Sequence, residues 1–228
     1  MRIYALPFIL VIMICCVAVI AEVTSVIEIP AETGGDTIAI FISGDGGWRK
    51  IDRDISAVMA SQGIHIIGIN SVRYFWKKRT PEETANDISS LISSYINKTK
   101  RKKVILIGYS FGADVLPFII NRIPEKTRLN LSGAVMLGIS ESAIFEISAG
   151  EWLGKTKGEY ATLPEVLKIN GIPLLFIEGS NDDHTVIQKL DRKKNEVVLV
   201  DGGHHFDGDY NRLAWIIINW NKKNNLYK

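Results

Sequence analysis

Apolar residues recur along the chain in short, unbroken, β-branched runs separated by stretches with helical spacing. Thr37 to Ile42 (Thr-Ile-Ala-Ile-Phe-Ile) is such a run, as are Ile64 to Ile69, Lys103 to Ile107, Gly133 to Ile139, Pro173 to Glu178 and Glu196 to Val200. Runs of this length without polar alternation predict strands covered on both faces, the habit of a parallel sheet. Val23 to Ile29 predicts a first strand. Between the runs, Asp52 to Ala60 carries apolar residues at helical spacing and is followed by Gly63, a stop signal. Thr80 precedes Pro81 and stands three residues before Glu83, which predicts a capped helix reaching about Asn97. A helix is predicted from Phe111 through Ile120, and a final amphipathic one from Asp209 to Trp220. Ser140 to Asn170 has no steady period and is expected to be irregular, with helix-like stretches, as a cap segment near the site. Six or seven parallel-type strands alternating with helices predict an α/β doubly wound sheet in one domain.

The first twenty-odd residues break this pattern. Arg2 is followed by an almost continuous apolar run from Ile3 to Ala21. Residues 1–21 read as a secretory signal peptide, with an uncleaved anchor as the alternative. Acylation at Cys15 or Cys16 is disfavoured by the bulky residue before each. The rest, 22–228, is expected to form the folded domain, in a periplasm or on the outer face of an inner membrane.

Composition changes this picture little. Apolar residues are 46% and charged residues 23% of the 228, and the formal net charge of +2 gives no footprint for direct nucleic-acid binding. The chain's two cysteines, Cys15 and Cys16, both lie in the export segment. The domain is therefore expected to have no disulfide, no thiolate metal site and no cysteine nucleophile. Neither a His-Glu-x-x-His motif nor a phosphate-cradling loop is present, so no metal and no cofactor is expected.

Candidate chemistry centres on Gly108-Tyr109-Ser110-Phe111-Gly112. A serine hydroxyl becomes a nucleophile only when it is exposed, positioned and able to pass its proton to a base. A sharp turn from strand to helix exposes it, and small residues two before and two after relieve the crowding. Gly-x-Ser-x-Gly occurs by composition alone in about one chain in ten of this length, so the flanking strand and helix carry the specificity. The base is expected on the loop after the last strand, Gly202-Gly203-His204-His205-Phe206, with His204 preferred and His205 the alternative. The orienting acid is expected after the Pro173 to Glu178 strand. Gly-x-x-Asp spacing favours Asp182, with Asp183 the alternative and His184 a bystander. Two N–H groups should form an oxyanion hole, one from Phe111 and one from Asp45 on the Gly-rich loop Ser43 to Trp48.

Ser43-Gly-Asp-Gly-Gly-Trp48, Gly108-Tyr-Ser-Phe-Gly-Ala-Asp-Val-Leu-Pro117 and Gly202-Gly-His-His-Phe-Asp-Gly-Asp-Tyr210 together resemble the VirJ/AcvB family of bacterial virulence proteins. Arg79 to Asp87, Phe145-Glu146 and Trp152-Leu153 extend the resemblance over the whole mature chain. It implies a periplasmic α/β-hydrolase fold linked to virulence and type IV secretion. It also implies a serine esterase, with Ser110 as nucleophile and His204 or His205 as base. Longer members of the family are linked to hydrolysis of lysyl-phosphatidylglycerol. A substrate of that kind would pair its amine with Asp45 or Asp114, and its phosphate with cations such as Arg73, Lys77, Lys78 or Arg79; Trp48 is a further candidate for substrate contact. The competing reading is a non-catalytic periplasmic binding factor for type IV secretion substrates or apparatus, since fold alone does not fix chemistry.

Overall fold

The computed structural model describes residues 25–148 and 158–225. The expected signal peptide, residues 1–21 with Cys15 and Cys16, and Trp152-Leu153 lie outside the described residues. The elements in chain order are β1 (Val26–Ile29), β2 (Thr37–Ile42), α1 (Lys50–Ser61), β3 (His65–Ile69), α2 (Ser71–Tyr74), α3 (Pro81–Thr99), β4 (Lys103–Tyr109) and α4 (Phe111–Arg122). They continue with α5 (Glu125–Arg128), β5 (Leu131–Leu137), β6 (Ser142–Ala143), β7 (Tyr160–Ala161), α6 (Thr162–Lys168), β8 (Leu174–Gly179), β9 (Asn195–Val200) and α7 (Tyr210–Asn225).

Seven strands form one sheet in the order β1-β3-β2-β4-β5-β8-β9. Every pairing is parallel except that of β1 with β3. The sheet is mostly parallel, as expected, and β1 closes its edge antiparallel, with Val26 opposite Ile69. Successive side chains of a strand point to opposite faces, so the apolar runs feed two cores. Ile38, Ile40 and Ile42 join the cluster under α3 and α4, whereas Ala39 and Phe41 join the cluster under α1 and α7. Complete burial of β2 and β5 explains why these runs show no polar alternation.

The capping box of α3 forms as the sequence predicts. Thr80 Oγ1 accepts from Glu83 N–H (3.1 Å), and the Glu83 carboxylate accepts from Thr80 N–H (2.8 Å). The stretch after β5 is more ordered than expected where it is described. β6 and β7 pair antiparallel, and α6 follows directly. Among the described residues no helix is long and apolar enough to cross a membrane. The carboxyl ends of β2, β4, β8 and β9 all open on one edge of the sheet, where open parallel sheets place their ligand crevice.

Candidate active site

Strand β4 delivers Ser110 to this edge. The turn is tight enough to force Ser110 to φ 51°, ψ −118°, a conformation that non-glycine residues rarely adopt. Two hydrogen bonds hold it there, as α4 begins at Phe111: Ser110 N–H donates to Leu137 O (2.8 Å) and Asp114 N–H donates to Ser110 O (3.0 Å). A Cβ on Gly108 would fall 2.6 Å from Ala113 N, and one on Gly112 would fall 2.9 Å from Ser43 O. Both glycines are therefore required by close backbone approach.

The loop after β9 brings His204 over this turn. Its Nδ1 lies 2.7 Å from Asp182 Oδ2 and its Nε2 lies 2.9 Å from Ser110 Oγ. A carboxylate only accepts, so Nδ1–H donates to Asp182 and Nε2 is left to accept the Ser110 hydroxyl proton. Asp182 stands on the loop after β8, where Asp182 N–H donates to Gly179 O (3.0 Å). A chain of serine, imidazole and carboxylate thus joins three loops from three strand ends.

The alternatives are occupied elsewhere. His205 Nδ1 lies 2.8 Å from the Tyr109 hydroxyl. Asp183 Oδ1 accepts from Thr185 N–H (2.9 Å) and from the Thr185 hydroxyl (2.5 Å), as a turn residue does. His184 Nε2 donates to Gly179 O (2.7 Å).

A cavity of about 260 Å³ opens beside Ser110. It is lined by Gly44, Asp45, Gly46, Arg49 and Lys50 on one side and by Tyr109, Ser110, His204, His205 and Tyr210 on the other. Gly44 runs beneath Ser110, where a Cβ would fall 3.5 Å from Ser110 Cβ. The Gly-rich loop is pinned rather than loose. Gly47 N–H donates to Gly44 O (3.0 Å), and Ser71 N–H donates to Ser43 Oγ (3.1 Å) while the Ser71 hydroxyl donates to Ser43 O (2.5 Å). Phe111 opens α4, so its N–H has no acceptor within the helix. The helix also adds positive potential at that end.

Four of the expected substrate contacts are placed elsewhere. Trp48 packs its indole over Gly68 of β3 and meets Phe41 edge-to-face at 5.5 Å, filling the core under α1. Arg79 donates to Asp87 (2.9 Å) and to Tyr74 O (3.0 Å), and its guanidinium stacks 4.1 Å from the Tyr74 ring. It ties α2 to α3 rather than facing the cavity. Asp114 Oδ1 accepts from Ser140 N–H (2.6 Å), and burial followed by the neighbouring Asp45 raises its pKa to about 7, against the two Ser140 hydrogen bonds. Lys78 pairs with Glu159. The basic groups that do line the cavity are Arg49 and Lys50, which sequence reasoning missed because they belong to the start of a helix and not to a charge run.

Two further acids stand near the site. Asp52, fully buried at the start of α1, has its pKa raised to about 7 by burial, although its Oδ2 accepts from Arg49 N–H (2.7 Å). Glu178, buried in β8, is pushed up to about 9 by burial, with Asp182, Asp114 and Asp183 adding to the rise. Burial likewise pushes the Tyr109 hydroxyl above its usual range.

A strand-end serine on a strained turn, with an imidazole and a carboxylate from later loops on a mostly parallel sheet, defines the α/β-hydrolase class. Solved structures agree on the fold. MenH from S. aureus superposes with a TM-score of 0.61 at 14% identity, over 89% of this chain and 99% of its own. The esterase domain of a Rhodothermus marinus protein gives 0.61 at 11%, covering 87% and 98%. The α/β hydrolase GrgF from Penicillium sp. sh18 gives 0.63 at 12%, covering 88% and 98%. No curated protein matches the sequence. The model of the bacterial virulence protein family VirJ matches residues 36–225. The chain belongs to the VirJ family.

Proposed function

We propose that this protein is a serine esterase of the periplasm, and that Ser110, His204 and Asp182 are its catalytic residues. The observation that carries the reading is the position of His204, within hydrogen-bond reach of Ser110 on one ring nitrogen and of Asp182 on the other. In the first step Ser110 Oγ attacks the ester carbonyl carbon while its proton passes to His204 Nε2. Asp182 holds the ring in the competent tautomer and stabilises the imidazolium. The N–H groups of Phe111 and Asp45 receive the oxyanion, a contribution of about 3–4 kcal/mol per donor in comparable sites. The imidazolium then returns the proton to the departing alcohol. Water, activated by the same imidazole, releases the acid from Ser110.

The substrate proposed is an aminoacyl ester of a membrane phospholipid, of the lysyl-phosphatidylglycerol kind. Family resemblance motivates it, and the charges of the cavity are compatible with it. Arg49 offers a cation to a phosphate, as does Lys50 beside its ion-pair partner Asp54, and the exposed carboxylate of Asp45 offers a partner to an amine. Export through residues 1–21 would place the enzyme against the outer face of the inner membrane. Its membership of a virulence family motivates type IV secretion components as further partners. The test is hydrolysis of lysyl-phosphatidylglycerol in mixed vesicles by the wild type and by Ser110→Ala. Release of lysine by the wild type and none by a folded variant is expected. Equal release by both removes Ser110 from the mechanism.

A further inference from the structure

The imidazole of His204 rests on a backbone wall. Gly138, directly after β5, adopts φ +65°, and a Cβ there would fall 2.8 Å from His204 Cε1 and 3.1 Å from His204 Nδ1. The turn Gly138-Ile139-Ser140 therefore sets how far the ring can settle toward the sheet, and with it the reach of Nε2 toward Ser110. Three anchors hold the turn. Gly138 N–H donates to Ile177 O (3.0 Å), Ile139 N–H donates to Glu178 Oε1 (3.0 Å), and Ser140 N–H donates to Asp114 Oδ1 (2.6 Å).

The middle anchor is the unusual one. The pairing of β5 with β8 ends at Leu137 and Ile177, so Ile139 N–H has passed beyond that ladder. A side-chain carboxyl supplies the missing acceptor, from a strand whose other described side chains in Leu174–Gly179 are apolar or absent. Glu178 is 1% exposed, and its Oε2 is buried with no partner. Keeping such a group in a strand interior costs stability unless it serves the site. It stands four residues before Asp182, so the end of β8 supports the imidazole twice, directly at Nδ1 and from behind through the turn.

We propose that Glu178 is a positioning residue for His204: by accepting from Ile139 N–H it fixes the turn whose Gly138 forms the wall behind the imidazole. The inference rests on the reading of His204 as the base for Ser110. The carboxyl performs this role in its neutral form. The charged groups facing it are Asp182 and Asp183 from its own following loop and Asp114 from α4, all carboxylates, with Asp45 facing Asp114 in turn. Burial and these neighbours keep the proton on Glu178 up to about pH 9. Asp182 is thereby left as the one carboxylate in contact with the ring among the described residues.

The test compares Glu178→Gln, which keeps an acceptor and is never charged, with Glu178→Leu, which keeps the volume and has no acceptor. Two readouts are used on the folded domain: the rate of Ser110 labelling by a fluorophosphonate, and the downfield proton resonance of His204 Nδ1–H followed from pH 6 to pH 10. The Gln variant is expected to label within about threefold of wild type, whereas the Leu variant labels about 10–100-fold more slowly with a broadened Nδ1–H resonance. In the wild type that resonance is expected to shift with a midpoint near pH 9 as Glu178 ionises, and in Glu178→Gln the step disappears. Equal labelling by a folded Leu variant overturns the proposal. If the Leu variant does not fold, Glu178→Met takes its place, and labelling by a folded Met variant at the wild-type rate overturns the proposal. Absence of labelling in the wild type defeats the nucleophile reading instead, and the resonance then decides the role of Glu178 by itself.

Discussion

The hydroxyl of Tyr109 and Nδ1 of His205 lie 2.8 Å apart, which gives two adjacent histidines different partners. Tyr109 is the last residue of the strand that carries Ser110, and its ring also lies 5.7 Å from that of His204. One tyrosine thus packs beside the first imidazole and binds the second.

His204→Ala is accordingly expected to lower ester turnover by about 10³–10⁴-fold, the scale of losing a triad base. His205→Ala should stay within about tenfold, with its effect chiefly on KM because His205 lines the cavity. Steady-state kinetics on a soluble chromogenic ester distinguish the two. Comparable losses in both variants would contradict the assignment.

The neighbouring aspartates divide in the same way. Asp182→Asn leaves the ring without its carboxylate and favours the wrong tautomer, so kcat should fall by about 10³–10⁴-fold at neutral pH. Asp183→Asn keeps an oxygen to accept from Thr185 and removes only the charge of an exposed turn residue, so stability and kcat should both stay near wild type. Thermal melts and kcat measured on the same preparations check both statements.

These pairs mark where the sequence stops being readable. The apolar runs, the Thr80-Pro81-Glu83 cap and the glycines around Ser110 are local signals, and each produces the element expected of it. The direction of β1 is not local: Val26 to Ile29 carries no information about which way its neighbour runs. The choice between His204 and His205 depends on a turn in which Phe206 and Asp207 both take positive φ, and no short-range pattern predicts that. Two other residues left a trace. Gly68 interrupts an apolar strand because the Trp48 indole lies on it, and a lone glycine in a strand signals close approach. Glu178 is an acid ending an otherwise apolar run, which signals a buried group with a specific partner.

The packing of Trp48 gives its own prediction. Trp48→Ala opens a cavity between Gly68 and Phe41 and should destabilise the domain by about 2–4 kcal/mol, while KM of the folded fraction stays near wild type. Gly68→Ala should destabilise comparably, since its Cβ would fall 2.9 Å from Trp48 Cζ2 and closer still to the ring carbons beyond. Chemical denaturation reads the loss. A raised KM with unchanged stability in Trp48→Ala would return this residue to the substrate.

Stability should also depend on Asp52. Burial raises its pKa from 3.8 to about 7, so the folded state holds the proton more tightly than the unfolded chain. The contribution is fully present below pH 3.8 and is lost as pH rises through about 7, to a total of roughly 4 kcal/mol. Asp52→Asn keeps an acceptor for Arg49 N–H and cannot ionise. Its melting temperature relative to wild type should therefore rise from about pH 4 to about pH 7 and level off above that. Parallel pH profiles for the two proteins would contradict the buried-acid account.

The proposal of Ser110 as nucleophile is open to one direct measurement: intact-mass analysis after reaction with a fluorophosphonate at neutral pH, with peptide mapping of the adduct. One adduct per chain at Ser110, absent from folded Ser110→Ala and slowed at least a hundredfold in His204→Ala, is the predicted result. An unlabelled wild type, or labelling that persists in Ser110→Ala, would contradict it.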